Sequence, residues 1–150
     1  MTSSDEPFVF QVGETVKKVI VNLTLTQEIN VLDVHKAIFL YFFLSRKRNP
    51  ENYKKTMKIL DFSPYKNWLF SEFVEEALVE LRSYQDIYVS GKGEKAKVKS
   101  SPKVTSMPEY QLSKDEQKIL KLIEPLNQWD VEIIYPNENK KATTEEGAKA

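Results

Sequence analysis

The chain has 150 residues, of which 22 are Lys or Arg and 22 are Asp or Glu, so its formal net charge is zero. It contains no Cys and one His, which excludes a disulfide framework, a cysteine-ligated zinc or iron–sulfur site, a thiol nucleophile and a multi-histidine metal site. Hydrophobic residues at 41% and charged residues at 29% are typical of a soluble globular protein. This length predicts a single domain.

The first residues lack the basic and apolar regions of a secretory signal, and the most hydrophobic run covers only residues 37–44. A bilayer span needs about 20 apolar residues, so this run predicts a buried helix. These patterns predict a cytoplasmic protein with no membrane contact.

Residues 8–26 show the alternation that is typical of strands. Phe8, Phe10 and Val12 alternate with other residues, and residues 19–25 continue at period two with many β-branched side chains. Gly13 offers a turn between the two runs. The pattern predicts an N-terminal β-hairpin with one buried face, preceded by a flexible segment at residues 1–7.

Three helices are predicted next. Residues 31–44 are apolar on every side of a helical wheel, so this helix is expected at the centre of the fold. A shorter helix at residues 51–60 places its lysines on one side. Ser71 is a predicted N-cap, and the apolar residues from Phe73 to Tyr84 recur at the 3.6-residue period of a third helix.

The C-terminal half predicts two strands and a further helix. A strand at residues 86–90, with Ile87 and Val89 facing one way, leads into a loop rich in Gly and Lys at residues 91–103. A return strand is predicted at residues 107–112. Ser113 and Glu116 then have the spacing of a capping box at a helix start.

The order of these elements is that of a winged helix-turn-helix, in which an amphipathic helix is followed by a strand, a basic loop and a second strand. We predict an α+β fold, with a winged-helix-like single domain at residues 8–136, an added N-terminal β-hairpin and a disordered C-terminal tail at residues 137–150. A last strand is predicted at residues 131–135. A helical α+β domain with an incidental hairpin is the alternative.

Residues 61–71, with the sequence DFSPYKNWLFS, lead into an acidic helix and then to Asp86–Val89. Together with the apolar helix around His35, this arrangement resembles phage-associated Panacea-type small helical proteins over residues 31–112. It departs from their pattern at Asn67–Leu69, where a Gly-Pro pair is missing. The resemblance implies a role in toxin neutralisation or protein contacts and assigns no site residues.

The zero net charge hides two basic segments, at residues 45–58 and 91–103, each with a single opposing glutamate. Two such segments form a phosphate-binding face if the fold brings them together, and are otherwise solvated loops. The predicted DNA-contacting residues are Arg46, Lys47, Arg48, Lys54, Lys55, Lys58, Lys92, Lys95, Lys97 and Lys99.

The third helix carries four glutamates, opposed only by Arg82. DNA phosphates would repel these carboxylates, so we expect DNA contacts through the basic segments with little reading of bases. The acidic face is instead a predicted docking surface for a basic protein partner, and a purely solvated helix face is the simplest alternative. Its predicted partner-binding residues are Glu72, Glu75, Glu76 and Glu80.

No catalytic residue, metal site or cofactor is predicted. Asp33 and His35 are two positions apart and face different sides of a helix, so the lone histidine is interpreted as structural. The glutamate run lacks the oxygen-rich loop of a calcium site, and residues 91–93 lack the spacing of a phosphate loop. Tyr53, Tyr65 and Trp68 either stack on bases or pack around the turn at residues 63–65.

The leading hypothesis is a non-catalytic, winged-helix-like, DNA-associated module of the kind used in transcription regulation, contacting phosphates through the basic loop and wing. The alternative is a protein–protein adaptor or antitoxin-like module that binds a basic protein through the acidic helix. A homodimer stays open, because the apolar face of the last helix could be either core or dimer seam. That face comprises Ile119, Leu122, Ile123 and Leu126.

Overall fold

The computed structural model describes residues 6–65 and 68–129. Over these ranges the chain forms an α+β fold of five α-helices, a three-stranded antiparallel sheet and a separate two-stranded hairpin. In this part of the chain, none of the helices combines the length and apolarity that a membrane span needs. The predicted strand at residues 131–135 and the predicted tail at residues 137–150 lie outside the described residues.

The predicted N-terminal β-hairpin is wrong, because Glu6–Thr26 form one helix, α1. Val12, Val16, Val19 and Leu23 recur at helical spacing and are all buried. β-branched side chains disfavour a helix only slightly, and the burial of this face outweighs their preference for strands. The apolar residues here alternate every second position because the helix is buried on most sides, not because they form a strand.

The central helix, α2, covers Val31–Leu44, as the sequence predicts. Its residues 34–41 are all buried, so neighbouring elements cover it on several sides. The Asn30 side chain caps it by accepting a hydrogen bond from the Leu32 N–H at 2.9 Å. The next helix, α3, covers Pro50–Leu60 and begins one residue before the predicted helix at residues 51–60.

A short antiparallel hairpin occupies the position of the predicted turn at residues 63–65. Its strands are β2 (Ser63–Tyr65) and β3 (Trp68–Phe70). The hairpin leads directly into α4, which covers Glu72–Ser83. Ser71 caps this helix, as predicted, by accepting a hydrogen bond from the Val74 N–H.

The three-stranded sheet contains β1 (Ile29–Asn30), β4 (Ile87–Ser90) and β5 (Lys97–Ser100), in the order β1-β5-β4. The prediction of β4 is confirmed, but the return strand lies at Lys97–Ser100, so the strand predicted at residues 107–112 is wrong. Residues 102–106 and 108–110 form 3₁₀ turns, each beginning with a proline that has no N–H for a strand ladder. We call β4, β5 and their turn (residues 87–100) the basic hairpin.

The last described helix, α5, covers Lys114–Ile123 and packs against α2. Its predicted capping box is confirmed: the Ser113 N–H donates to Glu116 Oε1 at 2.8 Å, and the Glu116 N–H donates to Ser113 Oγ at 3.2 Å. Ile119 and Ile123 are buried, whereas Leu122 is 55% exposed. Most of the apolar face of α5 therefore belongs to the core of this chain.

Candidate nucleic-acid interface

The basic hairpin presents four exposed lysines. Two of them alternate along β5 with the buried residues Val98 and Ser100, and two lie in the turn. None of the four forms an ion pair with another residue in the described ranges. Their positive charges are therefore free to attract an anion. The four are Lys92, Lys95, Lys97 and Lys99.

The turn of the basic hairpin is fixed against the start of α2. Asn30 Nδ2 donates to the Glu94 carbonyl oxygen at 2.8 Å, and the Val31 N–H donates to the Ala96 carbonyl oxygen at 2.9 Å. Gly91 has a φ of +85°, a conformation that other residues adopt only with strain. The backbone that carries the two turn lysines is consequently held in one conformation.

The first basic segment differs, because its two arginines are engaged within the fold. The Arg46 guanidinium lies 3.8 Å from the centroid of the Phe43 ring and donates from Nη1 to the Phe43 carbonyl oxygen at 2.7 Å. Arg48 Nη2 lies 3.5 Å from Asp115 Oδ1. The other predicted DNA-contacting residues of this segment are exposed, and they are Lys47, Lys54, Lys55 and Lys58.

The arginines of the first basic segment lie at the opposite end of α2 from the turn of the basic hairpin. The turn of the basic hairpin contacts the first residue of α2, whereas Arg46–Arg48 follow its last turn. A helix of 14 residues is about 21 Å long, so roughly that distance separates the arginines from the hairpin turn. The phosphate-binding face predicted from the two segments therefore does not combine Arg46–Arg48 with the lysines of the hairpin turn.

Two of the four predicted partner-binding glutamates are engaged within the fold. Glu75 Oε1 accepts a hydrogen bond from His35, and Glu80 Oε1 accepts from Lys17 Nζ at 3.1 Å and from the Tyr84 hydroxyl at 2.9 Å. The bond from Tyr84, together with Lys17, lowers the pKa of Glu80 against the opposing effect of burial. The other two glutamates of this face, Glu72 and Glu76, are exposed.

The single histidine joins α2 to the start of α4. The His35 side chain is fully buried, its Nδ1 accepts from the Ser71 N–H at 3.1 Å, and its Nε2 lies 2.7 Å from Glu75 Oε1. Because Nδ1 accepts, the ring proton lies on Nε2 and is donated to Glu75. The ring also stacks on Phe70, with 4.9 Å between centroids. Both ring nitrogens of His35 are therefore engaged within the fold.

A second polar junction follows the end of α4. Asp86 is 2% exposed, accepts from the Tyr110 hydroxyl at 2.6 Å and lies 3.2 Å from Lys103 Nζ. Burial, and then the hydrogen bond to Asp86, raises the pKa of Tyr110 above its ordinary value. Lys103 also donates to the Tyr84 carbonyl oxygen, so this lysine of the second basic segment is engaged within the fold.

A cleft of about 380 Å³ lies where α3, the β2–β3 hairpin and α4 meet. Aromatic and acidic side chains both line it, among them Phe70, Phe73, Asp61, Glu72 and Glu76. Over the described ranges, no group of three or more His, Asp or Glu residues is placed to hold a metal ion.

Sequence reasoning did not select Tyr88 as a functional residue. Its side chain is 57% exposed, and its position in β4 pairs with Lys99 in β5. The signal was present, because Ile87 and Val89 were predicted to face one way, which turns Tyr88 the other way. Of the aromatic residues proposed for base stacking, Tyr53 is half-buried, and the side chains of Tyr65 and Trp68 are not described.

Comparison with known proteins gives no identity for the chain. No protein-family model, no curated protein and no solved structure matches it. The resemblance to Panacea-type proteins stays a prediction, and any functional assignment depends on the geometry described above.

Proposed function

We propose that this protein is a non-catalytic nucleic-acid-binding module of winged-helix type that contacts phosphates through the basic hairpin. The observation that carries the proposal is the group of four exposed lysines on one fixed hairpin, none of them paired with another described residue. Such charges bind a phosphate backbone by releasing its counterions, independently of base sequence.

The order of elements supports this assignment. After α1, the chain forms a strand, two helices, the short β2–β3 hairpin, a third helix and the basic hairpin. The sheet order β1-β5-β4 places the basic hairpin beside the first strand. In winged-helix proteins, the corresponding hairpin lies along the nucleic-acid backbone, and the helix before it enters the major groove. The basic hairpin is therefore the expected wing, and α4 is the expected recognition helix.

The charges on α4 oppose deep insertion into a groove. Glu72 and Glu76 are exposed, and each carboxylate would be brought towards phosphates on both sides of the groove. Further along the helix, Val79 and Arg82 are also exposed, and Arg82 supplies the one positive charge. We therefore expect contacts to the backbone with little reading of bases.

A non-catalytic role is supported by the state of two residues that could act together in nucleophilic catalysis, His35 and Ser71. His35 is fully buried, and both of its ring nitrogens are engaged. Ser71 Oγ donates to the Leu60 carbonyl oxygen, so its hydroxyl is not positioned to act as a nucleophile activated by His35.

The test is a salt series of binding to labelled random-sequence nucleic acid, comparing two charge-matched double variants. Lys97→Glu with Lys99→Glu alters the basic hairpin, and Lys54→Glu with Lys58→Glu alters α3 by the same charge. We expect the hairpin pair to lose at least about tenfold in affinity and to reduce the salt slope on duplex by about 1.8. The α3 pair should lose much less.

Two results would overturn the proposal: no binding by the wild-type protein at low ionic strength, or equal losses for the two double variants. Equal losses would show that net charge, rather than the hairpin, governs the interaction. All four substituted lysines are exposed, so both variants are expected to fold normally, which circular dichroism checks.

One observation favours an adaptor role as a second candidate function. Val79 is 66% exposed and lies seven residues after Glu72 and three after Glu76, so the three share one face of α4. An apolar residue beside two carboxylates suits a partner helix that carries basic and apolar residues. Binding of a lysine- and leucine-rich helical peptide that is lost in Glu72→Lys with Glu76→Lys, but kept in the hairpin variant, would favour this candidate.

A further inference from the structure

The outer face of the three-stranded sheet combines an exposed aromatic ring with a row of lysines. The register pairs Tyr88 with Lys99 and Ser90 with Lys97, and all four of these residues are exposed. The opposite face carries Ile87 and the buried side chains of β5, which belong to the core. The ring and the lysines therefore face the same side.

The position of Tyr88 in the sheet leaves its ring accessible. β4 is an edge strand, and the Tyr88 side chain makes no hydrogen bond, ion pair or ring contact with the residues described. Directly opposite residues on an antiparallel pair lie about 5 Å apart, so the Lys99 ammonium can reach a phosphate whose base rests on the Tyr88 ring. Lys97 lies two residues before Lys99, at a distance of about 6.7 Å along the same strand.

Among nucleic acids, only a ligand with accessible base faces can stack on an exposed ring. In a duplex, each base is stacked between its neighbours, and the backbone alone meets a hairpin that lies along it. In a single strand, a base can turn out and stack on an aromatic side chain, while the lysines follow the backbone. The pairing of Tyr88 with Lys99 is therefore better suited to an unpaired strand.

The acidic face of α4 leads to the same preference. Binding a duplex in the winged-helix manner requires α4 at the groove, where Glu72 and Glu76 would meet phosphates. A single strand lying across β4 and β5 uses the basic hairpin alone. A single strand therefore both avoids the repulsion by the α4 glutamates and can stack on the Tyr88 ring.

We propose that the outer face of the sheet is a binding site for single-stranded nucleic acid, with Tyr88 stacking on a base and Lys97 and Lys99 holding the adjacent phosphates. This inference rests on the proposed function, since it names the substrate class of the same hairpin. It adds a stacking contact and a preference for unpaired strands, neither of which follows from charge alone.

The test measures the affinity of the full chain for a labelled oligothymidine of about 12 nucleotides and for a duplex of equal length, at one ionic strength. The wild-type protein should bind the single strand more tightly. Tyr88→Ala should weaken single-strand binding about tenfold, since stacking on an aromatic ring contributes that much per base, and should leave duplex binding unchanged. Tyr88→Phe keeps the ring and should bind as the wild type does.

The outcomes separate this inference from the proposed function. If Lys97→Glu with Lys99→Glu abolishes binding while Tyr88→Ala binds both ligands as the wild type does, the stacking site is wrong and the phosphate-binding hairpin stands. Equal losses on both ligands in Tyr88→Ala, or tighter wild-type binding to duplex, would also overturn the inference. If the double lysine variant binds both ligands normally, the proposed function itself fails.

Discussion

The two ends of α4 are held by polar junctions of different chemistry. At its start, the uncharged His35 ring accepts the Ser71 N–H and donates to Glu75. After its end, the buried Asp86 carboxylate meets the Tyr110 hydroxyl and the half-exposed Lys103 ammonium. The first junction lies around one side chain whose two nitrogens both have partners, whereas the second distributes one charge over two partners. The first should therefore be less tolerant of substitution.

The largest effect is expected at the first junction. His35→Ala leaves the buried Ser71 N–H without a partner and opens a cavity beside Phe70, so we expect a loss of about 3 kcal/mol in the free energy of unfolding. Glu75→Gln keeps a side-chain oxygen as acceptor for Nε2 and should cost less than about 1 kcal/mol. Urea unfolding of both variants measures the difference, and similar losses would contradict the central role of the histidine.

The second junction should divide its contribution between two partners. Tyr110→Phe removes a hydrogen bond to a buried carboxylate and should cost about 2 kcal/mol. Lys103→Met keeps most of the stem and removes a half-exposed charge, so we expect a loss near 1 kcal/mol that shrinks at high salt. Thermal unfolding at low and high salt tests this order. A larger loss for Lys103→Met than for Tyr110→Phe would show that charge, rather than the buried hydrogen bond, holds this end.

The smallest effect is expected in the last turn of α4, where Glu80 meets Lys17 and Tyr84 at the surface. These partners lower the pKa of Glu80 in the folded state from its ordinary value of 4.5. They therefore stabilise the fold at pH values above 4.5. That stability is lost as the pH falls through the folded-state pKa. Glu80→Gln should lower the free energy of unfolding by less than about 1 kcal/mol at neutral pH. The free energy of unfolding of this variant should also decrease less steeply than that of the wild type as the pH falls. Urea unfolding measured over a range of acidic pH tests this, and an unchanged pH dependence would contradict the stabilising role of the Glu80 contacts.

The sequence predicts α2 to α5 because local signals mark their ends. Ser71 and Ser113 cap their helices as predicted, and the apolar residues of α4 and α5 recur at helical spacing. The signal fails at α1, where Val19, Val21 and Leu23 satisfy a two-residue period but are buried on a helix that is covered on several sides. The stretch from Val12 to Leu23 also contains a helical spacing of apolar residues, so two local patterns compete there and tertiary packing decides between them.

Charge patterning locates the basic segments but not the availability of their charges. Arg48 is paired with Asp115, far along the chain, and the sequence alone gives no reason to connect them. β5 is also missed by the sequence analysis, because lysines flank its one large apolar residue, Val98, and such a pattern is typical of a loop. Tyr88 could have been selected, because strand alternation alone turns it outward.

Asn30 connects the proposed binding surface to the centre of the fold. Its Oδ1 accepts the Leu32 N–H at the first turn of α2, and its Nδ2 donates to the Glu94 carbonyl oxygen in the turn of the basic hairpin. One side chain cannot follow the turn outward and still cap the helix, so local opening of the hairpin is thermodynamically linked to fraying of α2. By the reciprocity of linkage, a ligand that holds the hairpin in place makes the start of the central helix more resistant to fraying.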